Sequence, residues 1–188
     1  GENMEKIEFI LNEFNKCDIK LSTEQAERFN KLYEFLVDYN KNVNLTAITD
    51  FKEIVVKHFI DSVLPFNMID IEENSSFIDV GTGAGFPSIP LMIVRSDLKC
   101  TMLEALNKRC VFLEKACELV GVKATVVHGR AEDYAKDRRE CFDFATARAV
   151  ANMSVLSEYC MPYVKVGGKF IALKSVNEEI EQADAAIK

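Results

Sequence analysis

The feature that most constrains the fold is a glycine-rich turn between a short apolar run and a helical pattern. Residues 76–80, Ser-Phe-Ile-Asp-Val, predict a buried strand, and residues 87–95 predict a helix. Gly81, Gly83 and Gly85 stand between them at alternate positions. Because glycine has no Cβ and tolerates positive φ, such a turn lets the backbone approach a ligand closely. In doubly wound α/β folds this turn, at the carboxyl end of the first strand, is the usual cofactor site.

The residues around the turn indicate which cofactor it would take. The spacing is G-x-G-x-G, and Phe86 stands where the dinucleotide fingerprint has its third glycine. Asp79 would repel a pyrophosphate, but it suits the ammonium and sulfonium groups of S-adenosylmethionine (SAM). Glu104 follows the loop at about the 20-residue distance where this fold places a carboxylate on the ribose hydroxyls. The pattern favours SAM over a dinucleotide, and a tight turn without a ligand is the remaining alternative.

The order of the predicted elements gives an α/β fold in two parts. Helical patterns before the first strand, the second opened by the capping box Ser22-x-x-Gln25, predict an N-terminal helical cap over residues 4–70. Strands and helices then alternate over residues 75–188, which is typical of a mostly parallel twisted sheet with helices on both faces. We treat cap and core as one compact unit. Strands are expected at residues 76–80, 99–103, 124–127, 142–147 and 169–173, and a final helix at 178–187.

Composition and charge exclude several classes of function. The net charge of −7 argues against a broad basic face for nucleic acid, although it leaves room for a local basic patch. Six cysteines without C-x-x-C spacing and only two histidines predict no metal site. Since no apolar run approaches the ~20 residues that span a bilayer, we expect a cytoplasmic protein with reduced thiols that does not enter a membrane.

Several short motifs follow one another across residues 42–174. They are Asn44-Leu45-Thr46-Ala47-Ile48, Lys57-His58-Phe59-Ile60-Asp61-Ser62, the segment from Asp79 to Pro87, Leu103-Glu104 with Lys108-Arg109, Arg130-Ala131-Glu132 and Ala147-Arg148-Ala149. In their order and spacing these motifs together resemble the RsmG (GidB) family, bacterial methyltransferases that act on guanine N7 in 16S, small-subunit ribosomal RNA.

The resemblance implies a class I SAM-dependent methyltransferase fold, Rossmann-like, with seven strands of which one is antiparallel. We therefore expect the last strands of the sheet to be absent from these 188 residues. It also implies cofactor contacts, which fall on Gly81, Phe86, Ala131, Glu132 and Arg148.

Each expected site residue has a physical role to play. Gly81, Gly83 and Gly85 would admit the methionine part of SAM, and Glu104 would hold the ribose diol. Ala131 and Glu132 would border the adenine, although Glu132 also suits a helix start, where the helix dipole favours a carboxylate. Arg148 could reach either the cofactor carboxylate or an incoming phosphate. His58 is expected to be a structural histidine that, together with Asp61, is at most a candidate for shaping the pocket.

The implied reaction needs no acid–base residue. Guanine N7 carries a lone pair and no proton, so we expect no catalytic residue in the narrow sense, and S-adenosylhomocysteine as the coproduct. The implied partner is 16S ribosomal RNA within a small-subunit particle, approached by a monomer. Three alternatives stay open: a SAM enzyme acting on a small molecule or protein, a nicotinamide-dependent dehydrogenase, and a non-catalytic ribosome-assembly module.

Overall fold

The computed structural model describes residues 1–148 and 153–173. It begins with two cap helices, α1 (Glu2–Lys16) and α2 (Thr23–Asn40), which pack on each other. The predicted capping box is confirmed, because the Ser22 hydroxyl accepts from the Gln25 N–H at 3.1 Å and the Gln25 side chain accepts from the Ser22 N–H at 2.9 Å. These reciprocal bonds fix the start of α2.

The third cap helix is continuous but changes its winding. It opens as α3 (Phe51–Glu53), capped by the Asp50 carboxylate, becomes a π-helical segment (Ile54–Ile60), and ends as α4 (Asp61–Asn67). The sequence pattern predicted an ordinary helix here and missed the π-helical segment. π-helical turns are rare in proteins, and those that do occur are often found at functional sites. His58 lies within this segment, and its carbonyl accepts a hydrogen bond from the Ser62 hydroxyl.

A five-stranded parallel sheet forms the centre of the described part of the chain. Its order is β3-β2-β1-β4-β5, so the strand order reverses beside β1. The strands are β1 (Ser76–Val80), β2 (Lys99–Glu104), β3 (Ala124–His128), β4 (Phe142–Arg148) and β5 (Val164–Leu173). The connecting helices are α5 (Ser88–Val94), α6 (Asn107–Val120), α7 (Ala131–Tyr134) and α8 (Met153–Cys160), with 3-10 turns at Ala135–Asp137 and Met161–Tyr163.

The fifth strand begins earlier than the sequence predicted. We expected it at 169–173, after a loop containing Gly167 and Gly168, but it starts at Val164. Val164 pairs with Phe142, and the register then shifts before Phe144 pairs with Lys169. The two glycines therefore lie in an irregularity within the strand, where Gly167 has a φ of +83°. The predicted helix at 178–187 lies outside the described residues.

Two hydrophobic clusters cover the two faces of the sheet. Adjacent residues of β1 point to opposite faces, so Phe77 joins one cluster and Ile78 the other. The larger cluster contains side chains of the cap helices as well as of α5 and α6, and Phe35 of α2 stacks on Phe112 of α6 with ring centroids 5.4 Å apart. Cap and core thus share one apolar interior. A search of the described residues for a helix long and apolar enough to cross a membrane found none.

Candidate functional site

The glycine turn closes the carboxyl end of β1, at the point where the strand order reverses. The N–H groups of Gly81 and Thr82 both donate to the Leu103 carbonyl, at 2.9 and 3.2 Å, which ties the turn to β2. Gly81 and Gly83 have φ values of +69° and +60°, a left-handed conformation that side chains disfavour. Apart from the adjoining residues, a Cβ at either position would meet no atom of the described part of the chain within 4 Å. Their backbone therefore faces open space, as a close approach to a ligand requires.

Gly85 has a different role from the other two glycines. Its φ is +87°, but a Cβ built on it would lie 2.5 Å from Cδ1 of Ile89 and 3.0 Å from Cδ2 of Leu113. The residue is buried, and its missing side chain makes room for the packing of α5 and α6. Gly85 was predicted to admit the cofactor with Gly81 and Gly83, but its position differs from theirs because it packs against Ile89 and Leu113.

Asp79 lies beneath the turn and is fully buried. Its Oδ2 accepts from the hydroxyls of Thr82 and Ser88, at 2.8 and 2.6 Å, while its buried Oδ1 has no hydrogen-bond partner among the described residues. Burial raises the pKa of this carboxyl to about 7, against the opposing effect of the two hydroxyls and of the Arg148 guanidinium. Asp79 thus braces the turn with one oxygen and offers the other to a donor or a cation.

Glu104, at the end of β2, braces the turn from the other side. Its Oε1 accepts from the Gly83 N–H at 3.0 Å, and its Oε2 accepts from the Leu106 N–H at 2.7 Å. The Arg109 guanidinium lies 3.8 Å from Oε1. The carboxylate is 4% exposed, so it is not the surface charge that a strand end usually carries. Each oxygen keeps a second lone pair that could accept from a ligand hydroxyl.

A cleft of about 310 Å³ adjoins the turn between β2 and α7. It is lined by Val80, Gly81, Leu103, Ala105, Gly129, Arg130, Ala131 and Glu132. The Ala131 carbonyl accepts a hydrogen bond from the hydroxyl of the buried Tyr163, which holds the start of α7 in place. The structure therefore brings Gly81, Ala131 and Glu132 together around one cleft. Its mainly apolar wall with a few polar groups resembles the usual small-ligand site.

The opposite side of the turn is an aromatic and cationic stack. The imidazole of His58 lies flat on the ring of Phe86, with centroids 4.6 Å apart and planes at 12°. The guanidinium of Arg148, at the end of β4, lies 5.4 Å from the Phe86 ring centre and 3.4 Å from Nδ1 of His58. Burial and then the Arg148 charge lower the pKa of His58 to about 4, so the ring is neutral at physiological pH.

The predicted site residues thus fall on two sides of one turn. Gly81, Ala131 and Glu132 line the cleft, and Phe86 and Arg148 contact His58 of the π-helical segment. Gly83 and Glu104 are bonded to each other within the turn region. Sequence reasoning missed the hydroxyls of Thr46, Thr82 and Ser88, although Thr46 stands in one of the motifs that carry the resemblance. Among residues 1–148 and 153–173 no group of three or more His, Cys, Asp or Glu side chains could hold a metal ion.

Comparisons with known proteins agree with this geometry. A family model described as "GidB: rRNA small subunit methyltransferase G" matches residues 25–188. A protein of Clostridium beijerinckii named "Ribosomal RNA small subunit methyltransferase G" is 54% identical, over 90% of this chain and 73% of that protein. A protein of the same name from Staphylococcus haemolyticus is 47% identical, over 98% of this chain and 78% of that protein.

A solved structure supports the fold. A putative S-adenosyl-L-methionine-dependent methyltransferase from Methanococcus maripaludis superposes with a TM-score of 0.58 at 14% identity, over 88% of this chain and 74% of that chain. The fold is therefore the class I methyltransferase fold that the sequence predicted. With the family model covering most of the chain and the relatives at 47–54% identity, this chain belongs to the ribosomal RNA small subunit methyltransferase G family.

Proposed function

We propose that this chain transfers the methyl group of SAM to N7 of a guanine in 16S ribosomal RNA, with S-adenosylhomocysteine as coproduct. Membership of the family supports ribosomal RNA as the substrate class. The observation that carries the cofactor part is the open backbone of Gly81 and Gly83, with the 310 Å³ cleft that Gly81 lines and a buried Asp79 Oδ1 that has no hydrogen-bond partner among the described residues.

The residues present fit SAM group by group. The buried Oδ1 of Asp79 suits an ammonium, because an added cation would satisfy an acceptor that has no partner in residues 1–148 and 153–173. The Arg148 guanidinium suits a carboxylate, and the second lone pairs of Glu104 suit the ribose hydroxyls. The cleft beside Ala131 and Glu132 suits a flat heterocycle. When bound, SAM supplies a methyl group on a positively charged sulfur.

The protein's part in the reaction is positioning. Guanine N7 is an in-plane lone pair without a proton, so no residue has to remove one, and we assign no catalytic residue. The turn is held by Leu103, Asp79 and Glu104 before any ligand arrives, and such preorganisation lowers the barrier to an in-line transfer. The buried ring of Phe86 forms an apolar wall beside the turn, which excludes water there.

The net charge of the chain bears on the form in which it meets its RNA substrate. A net charge of −7 gives weak attraction to naked RNA. We therefore propose a small-subunit particle, rather than free RNA, as the substrate, and a cytoplasmic monomer as the enzyme. An unstacked base is a better target than a helical one, because the major groove of A-form RNA is too narrow to admit side chains.

The first test is calorimetric titration with SAM, with NAD as the competing cofactor. The Gly83→Asp variant places a side chain on the open face of the turn and should abolish SAM binding. Gly167→Asp is the matched control, because Gly167 also has positive φ and open space around its Cβ position but lies in β5. Both variants carry similar backbone strain, so only the location differs. Equal loss of binding in both would contradict the assigned site.

The second test is transfer of radiolabelled methyl from SAM to unmodified small subunits, followed by chemical cleavage at N7-methylguanine. Radiolabel in 16S RNA without cleavage at N7-methylguanine would show that the methyl group goes to another atom of the RNA. Label in a protein or small molecule would support that class of acceptor, and binding to subunits without any transfer would support an assembly module. NAD binding without SAM binding would replace the methyltransferase with a dehydrogenase.

A further inference from the structure

We infer that His58 is a positioning residue whose neutral imidazole holds the guanidinium of Arg148 at the edge of the glycine turn. The inference rests on the SAM site proposed above, because it gives Arg148 a task there. The inference adds a chain of contacts from the N-terminal cap to that site. The chain runs from Thr46, in the loop after α2, through His58 to Arg148 at the end of β4.

The geometry around His58 leaves its ring little freedom. One face lies on Phe86 at 4.6 Å between centroids, Nε2 lies 2.8 Å from the Thr46 hydroxyl, and Nδ1 lies 3.4 Å from Nη1 of Arg148. The last distance is at the long end of the hydrogen-bond range. The same guanidinium also lies over the Phe86 ring, which attracts a cation. Two independent contacts therefore place Arg148 relative to the turn.

The hydrogen bonds fix the tautomer of His58. A guanidinium can only donate, so Nδ1 must accept and carry no proton. A neutral imidazole then carries its proton on Nε2, which donates to the Thr46 hydroxyl oxygen. That oxygen also accepts from the Ile48 N–H at 3.1 Å. Protonation of Nδ1 would place two cations against each other, which agrees with the low pKa of about 4 for this ring.

Thr46 is itself held by a side chain at the end of α2. Asn40 accepts from the N–H groups of Leu45 and Thr46, at 2.8 and 3.0 Å, and donates to the Thr46 carbonyl at 3.0 Å. These three bonds order the loop that precedes α3. Thr46, the last residue of Asn44-Leu45-Thr46, therefore presents its hydroxyl to His58, which gives a physical reason for the threonine of this motif.

The first experiment is a double-mutant cycle read by SAM titration. His58→Phe keeps the stack on Phe86 but removes both nitrogens, and should weaken SAM binding about tenfold, the equivalent of 1.4 kcal/mol. His58→Asn keeps an acceptor near the place of Nδ1 and should recover most of the loss. In an Arg148→Met background, His58→Phe should have no further effect. An equal loss in both backgrounds would overturn the inference, because His58 would then act through packing alone.

The second experiment reads the tautomer without any ligand, so it stands even if SAM does not bind. The chain has two histidines, and ¹⁵N NMR of a His128→Gln variant isolates the His58 ring signals. We expect a neutral ring protonated on Nε2 at pH 7, with an Nδ1 signal that moves in Arg148→Met. A ring protonated on Nδ1, or an Nδ1 signal indifferent to Arg148, would overturn the inference.

A third comparison covers the case in which His58→Phe fails to fold. Thr46→Val removes only the acceptor for Nε2–H, and Thr46→Ser keeps it. We expect a severalfold loss of SAM affinity in the valine variant, with recovery in the serine variant. Equal affinities in the two variants would contradict the connection through Thr46.

Discussion

Replacing Asp79 with Asn should make the stability of the ligand-free protein respond differently to pH. Asp79 is fully buried, and its neighbours are the Thr82 and Ser88 hydroxyls, the Arg148 guanidinium and the thiols of Cys100 and Cys160. Burial dominates and raises its pKa from the usual 3.8 to about 7. Asparagine has the same shape but cannot ionise, so the variant removes this one titration.

The size of the effect follows from the two pKa values. Because the folded-state pKa is raised, the stabilisation by the protonated carboxyl is fully present below pH 3.8 and is lost as pH rises through about 7. The total loss is about 4 kcal/mol, at 1.36 kcal/mol for each tenfold change in proton affinity. Integrated between pH 5.5 and 8.5, the loss is about 2 kcal/mol.

His58 titrates in the opposite sense over the same range. Its pKa is lowered from 6.5 to about 4, so its contribution to stability is present above pH 6.5 and is lost as pH falls toward 4. Between pH 5.5 and 8.5 this gives a gain of about 1 kcal/mol, which offsets a large part of the loss from Asp79. The pH dependence of wild-type stability alone therefore does not report the pKa of Asp79. The difference in stability between wild type and the Asp79→Asn variant does.

The measurement is urea unfolding of both proteins at pH 5.5 and 8.5. The free energy of unfolding of Asp79→Asn minus that of wild type should rise by about 2 kcal/mol between the two pH values. An unpartnered amide N–H in the variant costs about 1–3 kcal/mol, but this offset is the same at both pH values. A difference that stays constant within about 0.5 kcal/mol would refute the raised pKa and its cause.

Two further predictions concern packing. Gly85→Ala should destabilise the fold by about 2–3 kcal/mol, because its Cβ would overlap Ile89 as well as strain the backbone. Gly81→Ala should cost only the backbone strain, about 1–2 kcal/mol. Equal urea midpoints for the two variants would contradict the difference between the roles of these glycines. The cap, residues 4–70, and the core from residue 75 should unfold together because they share one apolar cluster. Amide hydrogen exchange should give α2 and β1 the same free energy of opening, and much weaker protection of α2 would show that the cap opens alone.

The elements that sequence predicts best are those set by local chemistry. The capping box at Ser22 is determined by residues close together in the sequence, and it lies where the sequence predicted it. The left-handed cap at Gly121, with φ of +73°, depends on local chemistry in the same way. The start of β5 is different, because Val164 joins the sheet by pairing with Phe142, more than twenty residues away. The π-helical segment likewise depends on what the helix packs against, and residue periodicity carries no signal for it.

The site shows the same division. Glycines between a strand and a helix, followed by a carboxylate at the next strand end, predicted the turn and Glu104 together, because strand ends meet at one edge of a parallel sheet. The separate role of Gly85 could not be predicted, since it depends on the distance to Ile89 and Leu113. Nor could the bond between Thr46 and His58, which stand 12 positions apart and which no local sequence pattern pairs.

The two carboxylates at the turn act both in folding and in ligand binding. Fixing one backbone residue costs about 1–2 kcal/mol, and Glu104 and Asp79 already hold the turn through Gly83 and Thr82, so a ligand does not bear that cost. Asp79 is also dehydrated when the chain folds, which is why its ionised form is costly in the free protein. A cation arriving at Oδ1 therefore gains a low-dielectric partner without removing its water. The folded protein thus loses stability by burying this carboxyl, and the cofactor binds more tightly because the dehydration of Asp79 has already taken place.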